Sequence, residues 1–305
     1  MKCIVFGGTG WLGHNIVLQL ASAGHEVTIC CRGKKTLFLE KVSDVKTVTA
    51  DKKDEAAMKE ILSARYDVVI DTVPTLESID LIHKYAIGLK HYIHCSSTGG
   101  YAPLPFIPCN ETAPYIGFDQ SSGWRQKAVV DAAVMRLFYE NGFPATVIRP
   151  CYITGPGMLP LDNQGGRRTD YIADIVAEKV LDVPDNGLSL LQPIHVIDLA
   201  VSFRLAVENT RSIGEHYNIC LSHAVTLKRY HEITAAAFGK QAHLNFIPLE
   251  EMLRKYEGKV HDIGLRFLAT HMCFSIDKAV RDLGYKPHCT PEEAIEETAL
   301  WASKQ

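Results

Sequence analysis

The sequence contains no CxxC pair, no HExxH, no GxSxG and no run of Lys or Arg longer than two. Without the first two there is no ready zinc frame. His91 and His94 with Cys95 do not supply one, because side chains three apart on a strand point to opposite faces. Without GxSxG, no nucleophile elbow would seat a serine such as Ser97 in a hydrolase triad. A net charge of −3 with scattered cations gives no general affinity for nucleic-acid phosphates or anionic membranes. The charge-free stretch from His91 to Asn110 holds three prolines and two glycines, so it cannot serve as a membrane helix. Strand-like residues follow Met1 at once, leaving no room for a secretory leader. Nine cysteines, an odd number at irregular spacing, fit reduced thiols better than a disulfide frame. A soluble cytoplasmic protein without a metal is expected.

What is present is a regular rhythm. The hydrophobic share of 47% is ample for a core, and 305 residues correspond to about two lobes at ~150 residues each. Short β-branched runs at Lys2–Phe6, Glu26–Cys31, Val45–Thr49, Asp67–Asp71, His91–Cys95 and Ala145–Arg149 alternate with helical periodicity at Trp11–Ala23, Asp54–Ser63, Leu76–Leu89 and Gly123–Asn141. The nearly unbroken apolar run of Asp67–Asp71 marks a strand covered on both faces. Such alternation predicts an α/β fold with a doubly wound parallel sheet, the Rossmann arrangement. Beyond Pro150 the rhythm loosens. A loop over 154–170 is rich in Gly and Pro and too long for a simple connection. Helices are predicted at Tyr171–Leu181, Val196–Asn209, Leu227–Phe238 and Leu249–Tyr256, and a last one is announced by Thr290-Pro291-Glu292-Glu293. The expected division is a dinucleotide-binding domain over 1–155 and a smaller substrate lobe over 156–305, with 190–220 returning to the first.

Gly7-Gly8-Thr9-Gly10-Trp11-Leu12-Gly13 lies between the first strand and the first helix. Glycines at this spacing allow a tight turn and let a pyrophosphate approach backbone N–H groups at a helix N-terminus. The second strand runs into Arg32-Gly33-Lys34-Lys35, where an NAD-selective site would carry Asp or Glu about 20 residues past the glycines. Arg32 and Lys34 place positive charge where a 2′-phosphate would lie, which favours NADP over NAD; a solvated basic turn is the alternative.

These residues resemble the extended short-chain dehydrogenase/reductase superfamily, the epimerase/dehydratase group. The resemblance also rests on Ala50-Asp51-Lys52-Lys53-Asp54, Thr72-Val73-Pro74, Ser96-Ser97-Thr98-Gly99-Gly100-Tyr101, Arg149-Pro150-Cys151-Tyr152-Ile153-Thr154-Gly155-Pro156-Gly157 and Ile194-His195-Val196-Ile197-Asp198-Leu199-Ala200. Tyr217-Asn218-Ile219 with Ala224-Val225-Thr226-Leu227 is most similar to an atypical branch typified by chloroplast stem-loop RNA-binding proteins. The resemblance implies that Asp51, Lys52, Thr72, Val73, Pro74, Pro150 and Ile153 border the cofactor. It implies that Ser97 or Thr98 grips the reacting oxygen and that Lys127 holds the nicotinamide ribose. It also allows a homodimer.

One departure outweighs the matches. The family pairs Tyr-x-x-x-Lys on the helix after the fifth strand; here Lys127 is present but Gly123 occupies the tyrosine position, and none of the 12 tyrosines stands four residues before a lysine. Loss of a positioned general acid costs about 10²- to 10⁴-fold in rate. Tyr101 is the favoured replacement, with Tyr115, Tyr152 and His94 behind it. Tyr152, Arg167 and Arg168 are candidates for substrate contact, the arginines through a phosphate or carboxylate. The expected function is an NADP-dependent oxidoreductase or epimerase acting on a small carbonyl or nucleotide-sugar substrate. A non-catalytic NADP sensor and an RNA binder remain as alternatives.

Overall fold

A computed structural model of the chain describes residues 1–33, 45–116 and 123–305. The first half runs β1 (Lys2–Phe6), α1 (Trp11–Ser22), β2 (Glu26–Cys31), β3 (Lys46–Thr49), α2 (Glu55–Leu62), β4 (Val68–Asp71), α3 (Leu76–Tyr85), β5 (His91–Cys95), α4 (Gly123–Asn141) and β6 (Ala145–Pro150). There follow β7 (Tyr152–Thr154), α5 (Tyr171–Val176), β8 (Leu181–Pro184), β9 (Leu190–Leu191), β10 (Pro193–His195), α6 (Val196–Glu208) and β11 (His216–Ile219). The chain ends with β12 (Val225–Thr226), α7 (Leu227–Ala236), β13 (Leu244–Ile247), α8 (Leu249–Lys255), α9 (Asp262–Leu268), α10 (Asp277–Leu283) and α11 (Pro291–Ala302).

Seven strands form one parallel sheet in the order β11-β6-β5-β4-β1-β2-β3. The two-residue period of β1 sends Cys3 and Val5 to one face, and Ile4 and Phe6 to the other. Val5 joins Ile16, Leu20, Leu199 and Phe203, from α1 and α6. Ile4 and Phe6 join Met58, Leu62, Ile79, Ile82 and Val134, from α2, α3 and α4. The doubly wound α/β sheet expected from the alternation is therefore present, with helices on both faces. Local chemistry sets the helix ends. Asp54 accepts from the N–H groups of Ala56 and Ala57, Thr75 and Ser78 cap α3 reciprocally, and Thr290 with Glu293 forms the capping box of α11.

The second half also makes three two-stranded sheets, β7 with β10, β8 with β13 and β9 with β12. The helix expected over Tyr171–Leu181 stops at Val176, because Glu178 adopts φ 54° and Leu181 begins a strand paired with Leu244. The loop after β7 is gathered around Asp162, a fully buried carboxylate that accepts from the N–H groups of Gln164, Gly166 and Arg168. The expectation of free thiols throughout is corrected at one pair. Cys151 and Cys220 are disulfide-bonded with Cα atoms 5.5 Å apart. They follow neighbouring strands β6 and β11, so pairing of those strands aligns two residues 69 apart in sequence. Among the described residues, no helix is long and apolar enough to cross a membrane.

Candidate active site

The glycine turn is held by close approach. Gly7 has φ +77° and a Cβ there would lie 2.3 Å from Thr72 Oγ1; a Cβ on Gly13 would lie 2.1 Å from the Gly7 carbonyl oxygen. Gly10 is the N-cap of α1 and offers no side-chain cap. The first helical bond runs from the His14 N–H to the Gly10 carbonyl at 2.8 Å, so the N–H groups of Trp11, Leu12 and Gly13 precede the ladder. They face a cavity of about 820 Å³ at the C-terminal ends of the parallel strands. Gly7, Thr9, Gly10, Trp11, Leu12 and Gly13 line it from the turn, and Arg32, Asp51, Lys52, Thr72 and Val73 from the strand ends. Ser97, Lys127, Pro150 and Ile153 form its far wall. Pro74 faces a neighbouring hollow between α3 and α4 instead. Trp11 Nε1 donates to the Pro156 carbonyl at 2.6 Å, tying the loop after β7 to the head of α1.

The charges around this cavity differ in availability. Arg32 is exposed at its edge, while Lys34 lies outside the described residues. Lys52 is committed elsewhere: its ammonium donates to both oxygens of buried Asp71, at 3.0 and 3.1 Å, and to the Val73 carbonyl. It therefore borders the cavity without a free charge to offer. Lys127 Nζ lies 3.5 Å from the Ser96 carbonyl and has no carboxylate partner among the described residues.

A second cavity of about 740 Å³ adjoins the first, and Ser97 and Cys151 line both. The Ser97 hydroxyl accepts from the Gly99 N–H at 3.2 Å, leaving its own proton for a ligand oxygen. Thr98 is less available: it is 1% exposed and donates its proton to the Pro150 carbonyl at 3.2 Å. A Cβ on Gly123 would meet no atom within 4 Å among the described residues. Both loop arginines line this cavity, and Asp162, Asp170 and Asp174 answer the charge of Arg168. Arg167 lines the cavity, donates to the carbonyls of Leu159 and Ile153, and lies over the Tyr152 ring at 4.6 Å. The Tyr152 hydroxyl accepts from the Leu161 N–H, so its ring serves as wall.

Tyr101, expected as the replacement acid, lies apart from both cavities. Residues Thr98–Tyr101 wind into a 3₁₀ turn that carries the ring inward, where it is 2% exposed and lines neither cavity. Its hydroxyl accepts from Arg149 Nη1 at 2.6 Å, and burial pushes its pKa up to about 12. His94 is also buried, with Nε2 2.8 Å from Asp131 Oδ1. Asp131 accepts in turn from Arg149 Nε at 3.0 Å. Burial opposes the charge of Asp131, yet the His94 hydrogen bond and the Arg149 charge hold its carboxyl below the usual range. Tyr115 comes nearest to the junction. Its hydroxyl donates to the Ser97 carbonyl at 2.5 Å and sits 2.9 Å from Ser96 Oγ, under the Arg149 guanidinium.

The apolar wall of the second cavity was missed in the sequence. Trp124 and Phe267 stand with ring centroids 5.8 Å apart, and Ile263, Val260 and Met272 complete the wall, with Lys259 beside them. Ile263 and Phe267 stand four apart on α9, a spacing that reads as ordinary helix core.

The profile described as "NAD dependent epimerase/dehydratase family" matches residues 3–76 and 71–220. The chain is 29% identical over 305 residues to the chloroplast stem-loop binding protein of 41 kDa b from Arabidopsis thaliana, covering 94% of this chain and 75% of that one. It is 22% identical to 2'-dehydrokanamycin reductase from Streptomyces kanamyceticus over 100% of this chain and 85% of that one. Among solved structures it is similar to UDP-glucose 4-epimerase with UDP-glucose from Thermotoga maritima, at TM-score 0.77, 19% identity and coverage of 100% and 99%. A dTDP-glucose 4,6-dehydratase from Bacillus anthracis in complex with NAD gives TM-score 0.78 at 17% identity, covering 100% and 97%. With seven-tenths of its length matched by that profile, the chain belongs to the NAD-dependent epimerase/dehydratase family.

Proposed function

We propose that the protein is an NADP(H)-dependent oxidoreductase or epimerase for a small carbonyl, hydroxyl or nucleotide-sugar substrate, working without a phenol at position 123. The observation that carries this reading is the junction of the two cavities at Ser97, with Lys127 on the cofactor side. The residues lining the first cavity fit a dinucleotide, because the glycine turn leaves no room for a Cβ at Gly7 or Gly13 and frees three helix N–H groups. Those N–H groups would bind the pyrophosphate, Arg32 the 2′-phosphate and Lys127 the nicotinamide ribose. When bound, the nicotinamide supplies or accepts hydride. Ser97 donates a hydrogen bond to the substrate oxygen where charge develops, and water carries the proton. A relative named as a reductase agrees with this reading.

Titration calorimetry should show tighter binding of NADP than NAD, with the preference reduced at least about tenfold in Arg32→Ala. Tighter binding of NAD would reverse the cofactor assignment. With a carbonyl panel, Ser97→Ala should lower turnover of NADPH by about 10²-fold while cofactor affinity stays constant. A non-catalytic role is favoured by Gly123 and by the relative named for stem-loop binding. No NADPH oxidation across the panel, together with salt-sensitive retention of a stem-loop RNA, would select it.

A further inference from the structure

Outside all three hollows, the first turn of α6 meets the segment that leads into α11. Asp198, 2% exposed, accepts from the His288 backbone N–H at 3.1 and 3.2 Å, and its carboxylate lies 2.8 Å from His288 Nδ1. The free thiol of Cys289 completes a group whose ligand atoms all lie within 4.8 Å of one another. The His195 ring stands edge-on to His288 with centroids 4.8 Å apart, and its Nε2 is 3.1 Å from Glu297. The charged groups acting on the Cys289 sulfur are Asp198, Glu293 and Glu297, all carboxylates. Neither Asp198 nor Glu297 has a lysine or arginine partner among the described residues. A half-buried cluster with three negative charges, two imidazoles and, among the described residues, no lysine or arginine paired to Asp198 or Glu297 attracts a positive ion.

We propose that Asp198, His288 and Cys289 form a binding site for one borderline divalent cation, zinc above all, with water in the fourth position. The donor set decides the class. Thiolate, imidazole and carboxylate suit zinc or cobalt, whereas magnesium and calcium take oxygen alone. Around a tetrahedral zinc, ligand atoms stand about 3.5 Å apart, so the cluster needs a small readjustment, the Asp198–His288 pair opening from 2.8 Å while the wider spans close. His288 and Cys289 can supply it from a connecting segment, because the His288 side chain is 46% exposed. On binding, the Cys289 S–H bond breaks, its proton leaves to solvent and a metal–thiolate bond forms; the Nδ1–H that faces Asp198 is also given up, so that His288 binds through Nδ1 as the neutral imidazole with its proton on Nε2. The backbone N–H bond from His288 already orients the Asp198 carboxylate, as outer partners of metal ligands do. Asp198 and His288 lie 90 residues apart in sequence, which is why no spacing motif announces them. The ion would pin α6 to the start of α11, and α11 also receives the Gly155 N–H on Thr298 Oγ1 at 2.8 Å. The clip thus braces the loop after β7, next to the cofactor cavity.

The test uses the full-length, untagged, chelator-treated protein titrated with cobalt(II). A near-ultraviolet thiolate-to-cobalt band should saturate at one equivalent and disappear when zinc is added. Cys289→Ser should abolish the band, and His288→Gln should weaken binding at least about tenfold. Cys273→Ser, at another half-buried thiol, should leave it unchanged. Zinc should also shield Cys289, and not Cys273, from alkylation in peptide maps of the wild-type protein, a readout independent of how the variants fold. Absence of the band in the wild type, its persistence in Cys289→Ser, or alkylation of Cys289 unaffected by zinc would each overturn the proposal.

Discussion

A methyl group on Gly13 would collide with the Gly7 carbonyl at 2.1 Å, a backbone atom that cannot swing aside. Gly13→Ala should therefore push α1 away from the turn and abolish calorimetric NADP binding, at a stability cost of about 1–3 kcal/mol. Retained affinity would show that the turn does not cradle a pyrophosphate. Lys127→Ala is a milder change, because among the described residues its ammonium has no carboxylate partner and lies 3.5 Å from a backbone carbonyl. It should weaken NADP binding several-fold with little change in melting temperature, and unchanged affinity would make Lys127 a surface residue. Tyr101→Phe separates the two roles considered for that tyrosine. It removes a buried acceptor from Arg149, so stability should fall by about 1–3 kcal/mol while kcat stays near wild type. A large fall in kcat with unchanged stability would restore it as a proton donor. The glycines were legible because motif spacing fixes their place between a strand and a helix, and Ser97 and Lys127 through the family resemblance. Tyr101 was not, since the 3₁₀ turn that rotates it inward leaves no mark in spacing. Trp124 and Phe267 escaped because apolar residues at helical intervals look like core.

Within α4, Asp131 is the residue on which neighbouring elements depend. It faces β5 through His94 and β6 through Arg149, and all three side chains are buried. Removing one partner of a buried pair leaves the other charge uncompensated, which costs about 3–5 kcal/mol. Asp131→Ala should lower the urea-derived unfolding free energy by that amount, and a loss under about 1 kcal/mol would mean that water reaches Arg149. Six strands of the large sheet were legible, the central ones because burial on both faces forces apolar runs, whereas β11 was not read as a strand; the cap of α11 was legible because Thr290 and Glu293 act locally. The small sheets were not. β9 and β12 are two residues each, too short for periodicity, and their pairing is decided by chain more than thirty residues away. The early end of α5 follows from the same cause, as Leu181 is claimed by β13. The disulfide likewise needs the adjacency of β6 and β11, which only the assembled sheet provides.

Over the whole molecule, burial of histidines sets how stability responds to acid. Burial alone lowers His91 to about 4 and His231 to about 3; His216 falls to about 4 through burial first and the Arg149 charge second. In the unfolded chain these imidazoles titrate near 6.5. Between that value and about 4 the unfolded chain binds protons that the folded chain refuses, so stability falls as pH falls. Each histidine can withdraw up to about 1.4 kcal/mol per pH unit within that window. Glu111 acts in the opposite direction, because burial raises its carboxyl and the folded form takes up a proton first. One such group cannot offset three histidines. Asp131, held low, adds its own loss only below the ordinary carboxylate range. Urea midpoints should thus be level between about pH 7 and 8 and decline steadily between about pH 6.5 and 4.5. His231 donates or accepts at 2.7 Å with the Tyr171 hydroxyl, so His231→Phe should lower the midpoint at neutral pH yet flatten the decline. Midpoints that rise as pH falls through this range would show that the imidazoles are protonated inside the fold and that carboxylates govern its acid response.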